Sequence, residues 1–74
     1  MPKLPRLTAR EIIAVLEKKG FLLTRQSGSH KIYKDAAGKR VTVPFHAQKI
    51  LHPKLLRSIM RDAGLEPEEL EKML

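Results

Sequence analysis

The chain has 74 residues, neither cysteine nor tryptophan, and 15 Lys and Arg against 8 Asp and Glu, a formal net charge of +7. At this length it is expected to form one domain, residues 1–74, with a core of Leu, Ile and Val too small to enclose a cofactor. The lack of cysteine rules out disulfides and thiolate metal sites, and no apolar run approaches a membrane span.

The first helix is expected over residues 8–19. Thr8-Ala9-Arg10-Glu11 has the form of a capping box, and Ile12, Ile13 and Leu16 follow as an apolar stripe. Lys18 and Lys19 sit in the last turn, and Gly20 suits a left-handed helix end. Three short strands follow: Phe21 to Gln26, Ser29 to Lys34, and Lys39 to Phe45. The turns between them are Ser27-Gly28 and Asp35 to Gly38, both hairpin-sized. The alternation of Val41, Val43 and Phe45 is the clearest strand signal. A second helix starts at Pro53, carries Leu55, Leu56, Ile59, Met60 and Ala63 as its stripe, and stops at Gly64. Glu66-Pro67 opens a short acidic helix to about Leu74. The economical packing is an antiparallel sheet with helices on one face.

The charge is uneven. Residues 1–64 carry fourteen basic side chains against four acidic ones, and residues 65–74 carry one against four. So positive a field draws polyanions and speeds their encounter. Nucleic acid is the first candidate partner, ahead of an acidic protein or an anionic membrane surface. Met1-Pro2-Lys3-Leu4-Pro5 lacks the apolar stretch of a secretion signal, so a cytoplasmic location is expected.

His30 is the candidate general base. A neutral imidazole can take a proton near pH 7, and in RNA cleavage that proton comes from the ribose 2′-hydroxyl. Strand parity leaves its face open. If Tyr33 is core, His30 faces solvent with Lys34; if Ile32 is core, His30 lies at the rim of the covered face. His46 is a possible second acid or base, and His52 reads as a helix-entry residue. The histidines make a poor metal signature. Lys31, Lys34, Lys39 and Arg40 fall on the second hairpin and its turn. Lys54, Arg57 and Arg61 form a ridge on the second helix, opposite its apolar stripe. Phe21, Tyr33 and Phe45 are the available stacking residues, with Phe45 better suited to the core. Recognition through shape and backbone is therefore expected over base readout.

The segments G-F-L-L-T-R-Q-S-G-S-H-K-I-Y, G-K-R-V-T-V-P-F-H-A-Q-K and L-R-S-I-M-R-D-A-G-L, in that order, resemble the HicA (YcfA-like) toxin family. The resemblance implies an α+β fold like double-stranded RNA-binding domains. It also implies a metal-independent ribonuclease that cleaves mRNA without cofactor and is neutralised by a HicB-type antitoxin. The family histidine falls on His30, with Gly28 and Ser29 in the preceding turn and Tyr33 as the following aromatic. One departure stands out: family members commonly carry Pro-Gly-Thr-Leu at the second helix start, and this chain has Pro53-Lys54-Leu55-Leu56.

The expectation is a toxin-type endoribonuclease, monomeric when free. Its RNA would be held by Gly28, Ser29, Lys31, Lys34, Lys39, Arg40, Lys54, Arg57 and Arg61. A non-catalytic double-stranded RNA-binding module is the alternative, and an adaptor for an acidic protein is a third reading.

Overall fold

The computed structural model describes residues 4–46 and 49–74. The reading of the first three residues, and Ala47 and Gln48 of the G-K-R-V-T-V-P-F-H-A-Q-K segment, lie outside the described residues. The elements run α1 (Ala9–Lys18), β1 (Leu22–Ser27), β2 (His30–Lys34), β3 (Arg40–Pro44), α2 (Pro53–Ala63) and α3 (Pro67–Met73).

Both long helices are bounded by their own sequence. At α1 the Glu11 N–H donates to Thr8 Oγ1 (3.3 Å), and the Thr8 N–H donates to Glu11 Oε1 (3.0 Å), closing the capping box. Past its end, the Gly20 N–H reaches the Glu17 carbonyl and the Phe21 N–H reaches the Leu16 carbonyl (2.9 Å). This is a Schellman motif, and Gly20 supplies its left-handed residue at φ 104°. The motif turns the chain so that Phe21 packs back under Leu16; both are fully buried. At the end of α2 the same device recurs, with Gly64 at φ 66° and the Leu65 N–H on the Met60 carbonyl (2.8 Å). The Lys39 ammonium lies close against Gly64, where a Cβ would meet it at 2.6 Å.

At the start of α2, Pro53 takes the first helical position, and His52 caps the helix by accepting the Lys54 N–H at Nδ1 (3.1 Å). His52→Ala is expected to cost about 1 kcal/mol, a fall of roughly 4–8 °C in melting temperature for a chain of this size. His52→Asn should recover most of it. An alanine variant that melts with the parent would show that the contact is no cap.

The sheet is antiparallel in the order β1-β2-β3. Tyr33 pairs with Val41 and Lys31 with Val43, so these four share one face. Tyr33, Val41 and Val43 are buried on it beneath α1 and α2, in one cluster with Ile12, Leu16, Phe21, Leu56 and Ile59. Burial pushes the Tyr33 phenol above its ordinary pKa, and the nearby Glu17 carboxylate acts in the same direction. β1 carries no buried residue, and a bulge at Thr24 breaks its register with β2 between Leu23 and Arg25. The acidic α3 docks on α1 through the fully buried Leu70, the Lys19–Glu69 ion pair (2.8 Å) and a hydrogen bond from Lys18 Nζ to the Met73 carbonyl. Glu69 is held below its ordinary pKa chiefly by that hydrogen bond from Lys19.

The result is an α+β fold of the double-stranded RNA-binding-domain kind, with helices on one face of an open three-stranded sheet. No helix among the described residues is long and apolar enough to cross a membrane.

Candidate nucleic-acid interface

His30 opens β2, immediately after a two-residue turn. Gly28 takes the first central position of that turn at φ 57°, where a primed hairpin turn needs a residue without a Cβ. Ser27 and His30 close the hairpin as register partners, and Pro44 of β3 stands on the other side of His30. The Ser29 carbonyl accepts the Phe45 N–H (2.6 Å), which ties the turn to the end of β3. The backbone beneath the imidazole is thus fixed from both neighbouring strands.

Burial of Tyr33 settles the parity question: His30 lies on the open face and is exposed. The rows of that face follow from the register. His30 lies between Ser27 and Pro44, Ile32 between Arg25 and Thr42, and Lys34 between Leu22 and Arg40. The face carries Arg25, Lys34 and Arg40 beside His30 and no acidic residue. Lys19–Glu69 is the one ion pair found among the described residues, and it lies on the helical side. The positive charge of the open face is therefore not neutralised from within.

The structure separates the other basic candidates. Lys34 and Arg40 are direct cross-strand partners on the open face. Lys31 is on the helix-covered face, half-buried, with its Nζ 3.9 Å from the centre of the Phe45 ring. Lys39 reaches the C-terminal end of α2, beside Gly64. Lys54, Arg57 and Arg61 are exposed on the flank of α2 turned away from the sheet, opposite Leu56, Ile59, Met60 and Ala63. The stacking expectation needs correction: Phe21 and Tyr33 are buried, because one is the Schellman anchor and the other faces the helices. Phe45 is partly buried and covered by Lys31.

His46 is exposed and lines an open groove of about 410 Å³ together with Pro44, Lys49, Leu51, His52 and Leu55. Pro44 belongs both to this groove and to the His30 row. Among the described residues no group of three or more His, Cys, Asp or Glu is placed to hold a metal ion.

Arg25 is absent from the residues singled out by sequence. Its signal was available: across a two-residue turn, residues 27 and 30 pair, so 25 and 30 share a face.

The open basic sheet face, with its exposed histidine, lies on a double-stranded RNA-binding-domain-like fold. Residues 9–65 match the family model for the HicA toxin of bacterial toxin–antitoxin systems. The chain belongs to that family. It is a toxin of the toxin–antitoxin class, and the family generally acts on mRNA and is paired with an antitoxin. No curated protein matches the sequence at a significant level. The matched span ends at Leu65, so α3 lies beyond it.

Proposed function

We propose that the chain is a metal-independent endoribonuclease in which His30 is the general base. The imidazole takes the 2′-hydroxyl proton of a ribose. The 2′ oxygen attacks the adjacent phosphorus, and the bond to the 5′ oxygen breaks as that oxygen gains a proton. The products are a 2′,3′-cyclic phosphate and a 5′-hydroxyl, with no water consumed in the cut. Cations beside His30 offset the charge that builds on the phosphorane. His46, a lysine or water donates the proton to the leaving oxygen. The observation that carries this reading is the exposed His30 imidazole on a basic, acid-free sheet face, in a chain that belongs to a toxin family.

A HicB-type antitoxin is the inhibitor this reading calls for. Acidic surface laid over His30 and the neighbouring arginines would block the ribose and match the charge.

The test is incubation of purified protein with a mixed-structure RNA in excess EDTA, followed by analysis of the cut ends. Cleavage should persist, leave cyclic phosphates, and stop when the cognate antitoxin is added. A strict Mg²⁺ requirement, or 3′-hydroxyl ends, rejects the mechanism. The fold alone would equally serve a module that binds duplex RNA and never cuts it. Salt-dependent binding with no cut ends would favour that second reading.

A further inference from the structure

We propose that the RNA strand cut at His30 runs along the open face of the sheet, held through its phosphates by Arg25, Lys34 and Arg40, with the basic ridge of α2 outside its path. This deepens the nuclease reading and rests on it.

The register carries the argument. His30 occupies one end row of the open face, Arg25 the middle row and the Lys34–Arg40 pair the far row. Successive rows on one face are two residues apart, roughly 7 Å at the rise of a strand. From His30 to the far row is therefore about 13 Å, a span that meets several phosphates of one chain and not a single one. All three cations are exposed, and no carboxylate shares their face. Arg25 is diagonal to His30 across the β1–β2 pair, within reach for a long side chain. Its planar fork can hold two oxygens of one phosphate, which a lysine cannot.

The ridge on α2 lies on the other side of the sheet. Lys54, Arg57 and Arg61 point away from the core, while His30 points away from it in the opposite sense. A strand lying in one track cannot touch both.

The face also limits what can be read. Its residues are Leu22, Arg25 and Ser27 on β1, then His30, Ile32 and Lys34, then Arg40, Thr42 and Pro44. None is Phe, Tyr or Trp, so apart from the His30 ring no base finds a stacking platform there. The grip is on the backbone and tolerant of sequence. The substrate must also be single-stranded at the cut, because attack by the 2′ oxygen needs it in line with the departing 5′ oxygen, and a stacked A-form helix holds them out of line.

The test uses the full chain and a labelled single-stranded RNA of mixed sequence, with binding measured in the His30→Ala background so that no substrate is consumed. Adding Arg25→Ala or Arg40→Ala should each weaken binding several-fold and flatten the slope of log K against log salt by about 0.7 per lost contact. In the His30 parent, the same changes should lower kcat/KM about tenfold or more. Arg25→Lys should recover part of that, as a point charge without the fork. Arg10→Ala, which removes equal charge from the exposed side of α1, is the control. A larger loss from Arg57→Ala with Arg61→Ala than from Arg25→Ala with Arg40→Ala overturns the proposed path and leaves the nuclease reading standing. Undiminished cleavage by His30→Ala alone removes His30 as the base, and no cleavage by the parent overturns the nuclease reading, whatever the arginines do.

Discussion

His30→Ala is expected to reduce RNA cleavage by roughly 10²–10⁴-fold, the usual share of a general base, with little change in melting or in RNA binding. The side chain is exposed and makes no hydrogen bond among the described residues, so folding does not depend on it. Surface replacements of this kind usually shift stability by no more than about 0.5 kcal/mol, a few degrees at most in a chain of this length. On the proposed path the charge that holds RNA is on Arg25, Lys34 and Arg40, which remain. Cleavage should therefore fall through kcat while binding holds, the pattern of a group needed in the transition state. Parallel thermal melts, RNA titrations and single-turnover assays on parent and variant decide it. An alanine variant that cuts at the parent rate removes His30 from the chemistry. One that loses cleavage only because it has unfolded would make the residue structural.

The helices were legible because each carries its own punctuation: Thr8 and Glu11 at one start, Pro53 at the other, and Gly20 and Gly64 at the ends. The face of His30 was not, and the reason lies in one turn. Reading Asp35 to Gly38 as a four-residue loop would pair Lys34 with Lys39 and place Ile32 opposite Val41. In the structure Asp35 pairs with Lys39 instead: the Asp35 N–H donates to the Lys39 carbonyl (3.2 Å), and the Lys39 N–H donates to Asp35 Oδ1 (2.8 Å). The loop is therefore three residues long, with Gly38 in the left-handed region at φ 88°. That one-residue difference places Tyr33 opposite Val41, sends it to the core and turns His30 to solvent. The same alternation divides the lysines. Lys31 and Lys34 are three apart and must face opposite ways on a regular strand, so nearness in sequence was no guide to a shared surface. The His52 cap, by contrast, depends on ring placement at the helix entry, which spacing alone does not specify.

Phe21→Ala is the substitution expected to damage the protein most without touching the candidate site. Phe21 reads from sequence as the first residue of a strand, but it is the residue after the Gly20 turn, drawn back under α1 and left with no exposed surface. It is one of only two phenylalanines, and the chain has no tryptophan. Truncating a buried Phe typically costs about 3–5 kcal/mol, from lost transfer energy and the cavity left behind. A domain of this length has total stability of only about 4–11 kcal/mol. The melting temperature should fall by some 15–30 °C, and a parent at the low end of that range would lose its cooperative transition altogether. Phe21→Leu keeps much of the volume and should lose far less. Cleavage by Phe21→Ala, measured well below its own transition, should stay near the parent value, because His30 is held by Ser27 and Pro44 and not by this ring. Differential scanning calorimetry beside a low-temperature RNA assay reads both quantities. An alanine variant that melts within a few degrees of the parent would mean that the Leu16–Phe21 contact is not what anchors the sheet to α1.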